Sequence, residues 1–196
     1  MLHEIEKLQE IIGSLPGIGR KSALRISLHL INMNKNKRDS FLSNIKELSE
    51  KVLICECCHS YTLKSRCLAC NTPYDNEGIL CVIETIDDML KISEVLPKGS
   101  KFHILGGKLS PLNGVSPDNL NIESLTKRVD EDGLKEIIIA TGSDVEGETT
   151  ASYLLEILKE IPLKKSRLAF GISVGSSLSN SDARSIQKSL AARVSY

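Results

Sequence analysis

The sequence contains no tryptophan, and aromatic residues make up only 4% of it. Proteins that hold single strands without reading their sequence stack bases on aromatic side chains, so this scarcity argues against such a surface. Net charge is missing too, because 25 Lys and Arg balance 25 Asp and Glu. A chain that coats nucleic acid along its whole surface is strongly basic, so any contact with phosphates must come from a local patch. No run of about 18 apolar residues exists, which argues against a membrane-spanning helix. The first fifteen residues carry Glu4, Glu6 and Glu10 and no long apolar core, unlike a secretory leader. A cytoplasmic location is therefore expected. In that reducing compartment the six cysteines do not read as a disulfide framework.

What is present is length enough for a core: 196 residues bury roughly 70% of the surface the unfolded chain exposes. Leu2, Ile5, Leu8, Ile12 and Leu15 recur at helical spacing and predict a first helix. A second begins near Arg20 with Ala23, Ile26, Leu30 and Ile31 on one face. A third covers about Asp39–Val52, with Phe41, Ile45, Leu48 and Val52 directed inward. Beyond residue 78 the period changes. The runs 79–84, 102–105, 137–140 and 168–170 read as short apolar strands. Helical segments are expected between them, near 87–96, 118–130, 147–160 and 181–193. Strands alternating with helices predict a mostly parallel sheet covered on both faces, hence a mixed α/β fold.

Three constellations carry chemistry. The first is Leu15-Pro16-Gly17-Ile18-Gly19-Arg20-Lys21-Ser22-Ala23. Gly17 and Gly19 permit a tight turn that a phosphate oxygen approaches closely, at the positive end of the next helix. Arg20, Lys21 and Arg25 stand beside it. From Arg20 to Arg38 the chain carries six basic residues and no acidic one. The pattern looks like a helix-hairpin-helix, which grips backbone phosphates and carries no base information. The alternative is a plain turn between packed helices with a solvated basic face.

The second constellation is Cys55-x2-Cys58 and Cys67-x2-Cys70, two knuckles separated by eight residues. Four thiolates suit tetrahedral Zn2+ and leave no position for water, so a structural site is expected. Cys57 and His59 adjoin the first knuckle as alternative ligands, and Cys81 in an apolar run reads as a small buried hydrophobe. The third is acidic. Glu84 ends the first strand, and Asp144, Glu146 and Glu148 follow the third. At the C-terminal ends of parallel strands these carboxylates either hold Mg2+ or cap a helix, and the residues leave both readings open.

The order and wording of these parts resemble the RecR family of bacterial recombination mediators. The hairpin, the cysteine pairs and the strand Ile79–Glu84 all match. So do His103-Ile104-Leu105-Gly106-Gly107, Leu109-Ser110-Pro111-Leu112-Asn113-Gly114 and Val145-Glu146-Gly147-Glu148 with Ala151. The resemblance covers essentially the whole chain. It implies a helix-hairpin-helix region over 1–53, a four-cysteine zinc finger over 54–76, a Toprim-like α/β domain over 77–173 and a C-terminal segment with a helix over 174–196. It also implies a DNA-binding ring, a homotetramer, that encircles DNA. This ring would act with RecO, and with RecF where present, to load RecA on gapped or single-stranded DNA covered by single-strand-binding protein.

Within that resemblance no bond is broken. A working Toprim centre wants a strand-end glutamate and an Asp-x-Asp pair, but here the pair reads Gly142-Ser143-Asp144. No feature marks Tyr61, Tyr74, Tyr153 or Tyr196 as a nucleophile. The competing readings are a metal-dependent phosphodiester-cleaving enzyme using Glu84, Asp144 and Glu146, and a protein scaffold whose hairpin only packs subunits. Glu146 and Glu148 are a candidate docking surface for basic partners. Phe170, Ser173 and Asn180 depart from the family pattern, in a segment that the resemblance places near subunit contacts.

Overall fold

The computed structural model describes residues 2–172 and 175–193, so Ser173 and Tyr196 lie outside the described residues. The chain divides into two compact units, residues 1–52 and 53–196. In the first, helices α1 (His3–Gly13) and α2 (Arg20–Asn32) form a hairpin, followed by α3 (Lys35–Lys51). Ile12 and Ala23 are buried between the first two, and Gly13 brings its backbone close to Ala23 Cβ. Leu15 falls outside α1 and is exposed.

The third helix starts earlier than its periodicity predicts, because the Asn34 side chain accepts a hydrogen bond from Asn36 N and caps it there. Its apolar stripe is also not directed inward as expected. Phe41, Ile45 and Leu48 are all exposed, and no residue of α3 is buried. Periodicity reports that a face is apolar, but not what covers it.

The second unit begins with a two-stranded antiparallel hairpin, β1 (Leu53–Ile54) and β2 (Tyr61–Thr62), and the short helix α4 (Leu68–Asn71). The α/β part follows with β3 (Ile79–Ile83), α5 (Ile86–Ile92), β4 (Lys101–Ile104), α6 (Ile122–Thr126), β5 (Glu136–Ala140), α7 (Val145–Ile157), β6 (Lys164–Arg167) and α8 (Ala183–Ala191). The four strands from β3 onward form one parallel sheet in the order β4-β3-β5-β6. Every residue of β3 is buried, as a strand covered on both faces requires. Leu80, Val82, Ile137 and Ile139 pack on one side with Ile122, Leu125, Ala151 and Leu154. Cys81, Ile83, Ile104 and Ala140 pack on the other with Ile86, Met89 and Ile92. Cys81 is thus a buried hydrophobe, and burial pushes its thiol up to about 12.

Two further elements differ from what their sequence pattern predicts. The last strand is Lys164–Arg167 and not the apolar run 168–170. This edge strand needs only the backbone of one neighbour and tolerates charged residues, so hydrophobicity need not mark it. The single helix expected over 118–130 is instead a 3-10 turn (Pro117–Asn119) and the short α6. Asn121 interrupts it. Its N–H donates to Leu105 O, its side chain donates to Ile104 O, and its carbonyl bonds His103 Nε2, all within 2.9 Å. Tying the chain to β4 wins over continuing the helix. Among the described residues no helix is long and apolar enough to cross a membrane.

Candidate functional sites

The turn between α1 and α2 is open. Gly17 adopts a φ of +76°, which other residues rarely take, and Ile18 N–H closes the turn on Leu15 O. A Cβ added at Gly17 or Gly19 would meet nothing within 4 Å, so a ligand can reach the backbone there. Gly19 is the N-cap of α2. No side chain caps this helix and no acid lies in its first turn, which leaves its positive end undressed. Arg20, Lys21 and Arg25 are exposed. Lys21 and Arg25, four residues apart, share one face of α2.

The four sulfurs of Cys55, Cys58, Cys67 and Cys70 lie within 4.8 Å of one another. Cys58 and Cys67 are 3.6 Å apart, close to the edge of about 3.8 Å that four Zn–S bonds of 2.3 Å span in a tetrahedron. The first knuckle is shaped by backbone bonds. Cys55 N–H donates to Ser60 O, His59 N–H donates to Cys55 O, and His59 takes a positive φ of 62°. Cys67 caps α4, which carries Cys70 one turn on. A hydrogen bond from Cys70 holds the Cys58 thiol down to about 4, and the same contact pushes Cys70 up. Thiols grouped this closely lose their protons when a cation binds them. The donor set fits Zn2+, which when bound would cross-link the two knuckles.

Cys57 and His59 stand outside this four-sulfur group and have other partners. Cys57 Sγ faces Glu131 Oε1 and Arg66 Nη2, each at 3.6 Å. His59 Nε2 pairs with Ser124 Oγ at 2.7 Å, and its ring meets His103 edge-on. These contacts join the finger to the sheet, as does Ile104 N–H donating to Cys58 O. Beneath them Arg128 is buried, donating to Phe102 O and to Glu131 Oε1 at 2.7 and 2.9 Å. Sequence reasoning missed this pair, since an Arg three residues before a Glu looks the same on a surface helix.

The acidic crevice lies at the C-terminal ends of β3 and β5. Glu84 Oε1 accepts from Gly142 N–H at 2.5 Å, and Asp144 Oδ1 accepts from Gly147 N–H at 2.7 Å as the N-cap of α7. Gly147 is required there: a Cβ would sit 2.3 Å from Gly142 O. Burial, above all, raises the Glu84 carboxyl above its ordinary range, whereas the hydrogen bond from Lys108 lowers that of Asp144. Lys108 Nζ is 2.5 Å from Asp144 Oδ2 and 3.8 Å from Glu84 Oε2. Glu146 is turned elsewhere and accepts from Ser110 Oγ and Asn113 Nδ2. Glu148 pairs with Arg167 and with Lys188 of α8. The four carboxylates therefore do not converge as one metal-binding group. Glu84 and Asp144 alone meet, and they meet on a lysine. No sequence signal pointed to Lys108, which reaches partners 24 residues before and 36 after it.

Comparison with known proteins places these features together. A model of the RecR helix-hairpin-helix matches residues 5–48 and a Toprim domain model matches residues 78–169. Recombination protein RecR of Syntrophobacter fumaroxidans is 38% identical over 94% of this chain and 92% of its own length. The chain belongs to the RecR family. RecR of Geobacter sp. strain M21 is 37% identical over 98% of both chains, and that of Amoebophilus asiaticus is 35% identical over 98% of this chain and 96% of its own. The mixed α/β fold, the helical N-terminal hairpin, the cysteine cluster and the Toprim part are thus those of a RecR-type recombination protein.

Proposed function

We propose that this RecR-family chain is a DNA-binding recombination mediator that performs no chemistry on DNA. The observation that carries the proposal is the uncapped start of α2, reached through two open glycines and flanked by exposed Arg20, Lys21 and Arg25. Amide donors and cations so placed suit backbone phosphates, the contacts that position a protein without reading bases. The proposed parts are the DNA-binding hairpin region over 1–53, the zinc finger over 54–76, the Toprim-like domain over 77–173 and the C-terminal segment over 174–196. One structural Zn2+ per chain, held by Cys55, Cys58, Cys67 and Cys70, keeps the finger folded against β4.

The family resemblance extends the proposal to a cytoplasmic, nucleoid-associated tetrameric ring. With RecO, and RecF where present, it would help load RecA on gapped or single-stranded DNA covered by single-strand-binding protein. The exposed stripe Phe41, Ile45 and Leu48 supports association of copies, because monomers rarely leave contiguous apolar surface uncovered. Glu146 and Glu148 remain a proposed docking region, with much of the Glu148 charge answered by Arg167 and Lys188 within the chain. Against cleavage stand the missing first aspartate at Gly142 and the ammonium between Glu84 and Asp144.

The test is DNA binding by the Lys21→Ala/Arg25→Ala protein with zinc content and oligomer mass measured on the same sample. Weaker, less salt-sensitive binding at unchanged metal and mass is expected. Normal binding would favour a scaffold whose hairpin only packs subunits. Nuclease or relaxation activity with Mg2+ or Mn2+ that Glu84→Gln abolishes would instead establish the enzyme reading.

A further inference from the structure

The acidic crevice is built as if for a cation, and the chain supplies one. Glu84 and Asp144 each spend one oxygen on a backbone amide, from Gly142 and Gly147, which fixes both carboxylates in orientation. The remaining oxygens, Glu84 Oε2 and Asp144 Oδ2, both face Lys108 Nζ. Both groups close over Gly142, where a Cβ would lie 3.3 Å from Glu84 Oε1 and 3.6 Å from Asp144 Oδ2. Lys108 itself is held in place. Gly106 and Gly107, with φ of +86° and +157°, turn the chain away from β4, and Leu109, directly after Lys108, is pinned by its N–H donating to Thr150 Oγ1 at 2.9 Å.

A divalent ion such as Mg2+ binds carboxylate oxygens at about 2.1 Å and brings two positive charges. An ammonium 2.5 Å from one of the same oxygens occupies that volume and repels a second cation. The residues present therefore do not fit the Mg2+ that a Toprim domain implies. We propose that Lys108 is the resident cation of the crevice: its ammonium takes the place of a divalent ion between Glu84 and Asp144, holds the strand ends β3 and β5 together, and closes the site to metal. The crevice is then a structural clamp. Its charge is set by one loop residue, and removing that charge while keeping the fold opens a metal site.

The experiment titrates Mn2+ into zinc-loaded protein in the absence of DNA. Free Mn2+ is counted by its electron paramagnetic resonance, while line broadening of the Gly142 and Gly147 amides reports occupancy at the crevice. At about 1 mM Mn2+ the native protein and Lys108→Arg are expected to leave those two amides sharp. Lys108→Met should bind Mn2+ at least about tenfold more tightly than the native protein and broaden both amides, and adding Glu84→Gln should abolish the gain. Broadening in the native protein overturns the proposal, whether or not the variants fold. So does a folded Lys108→Met, or the milder Lys108→Gln, that gains no Mn2+ affinity.

Discussion

Phosphate binding at the hairpin turn sets how steeply DNA affinity falls with salt. Lys21 and Arg25 project from one face of α2 beside the open Gly17–Gly19 turn, with no acidic residue in the helix's first turn. If each neutralises one phosphate, each contributes about 0.9 to the slope of log affinity against log salt on duplex DNA, or about 0.7 on a single strand. The Lys21→Ala/Arg25→Ala protein should then show a duplex slope shallower by about 1.8 for each engaged hairpin. Between about 50 and 200 mM salt the native protein would lose about twelvefold more affinity than the variant. Fluorescence anisotropy of labelled duplex and single strands across that range measures both slopes. Parallel lines for the two proteins, at equal zinc content, would refute phosphate binding at this turn even if absolute affinity fell.

Other consequences are independent of DNA. Cys67→Ser removes one of four thiolates and should abolish bound zinc; binding to such sites is worth about 10–16 kcal/mol. Metal analysis and limited proteolysis of the 54–76 segment check this, and a metal-free native protein of equal stability would contradict it. Gly147→Ala drives a Cβ to within 2.3 Å of Gly142 O, so a loss of about 3 kcal/mol, high in the range for overpacking, is expected in a denaturant midpoint. A loss below about 1 kcal/mol, the ordinary size of a point-mutation effect, would mean the 142–147 loop yields. Glu131→Ala strands the buried Arg128 and should cost about 3 kcal/mol. Burial pushes the Glu131 carboxyl up, but the hydrogen bond and charge of Arg128 outweigh it and leave it below its ordinary value. Glu131 therefore contributes stability at neutral pH that is lost as pH falls from the ordinary carboxylate range through its lowered folded value. The native acid limb should be steeper than that of Glu131→Gln, and identical limbs would count against the pair.

Reading the chain alone determined the classes of its parts. Glycine and proline punctuation with helical spacing located the first two helices, paired cysteines marked the four-sulfur cluster, and continuous apolar runs marked β3, β4 and β5. Each of these signals is local: spacing of a few residues controls which groups share a turn, a helix face or a strand. The structure decided what depends on distant partners. It gave Cys57 and His59 partners outside the four-sulfur group, Glu131 and Ser124, and exposed the stripe of α3. It also set an edge strand among charged residues and placed Lys108 between two carboxylates. Side chains that meet across dozens of residues leave no periodic trace, because the fold and not the spacing brings them within reach. A carboxylate's role follows from the cation that finds it, and for Glu84 and Asp144 that cation comes from a loop whose path is fixed only when the sheet has formed.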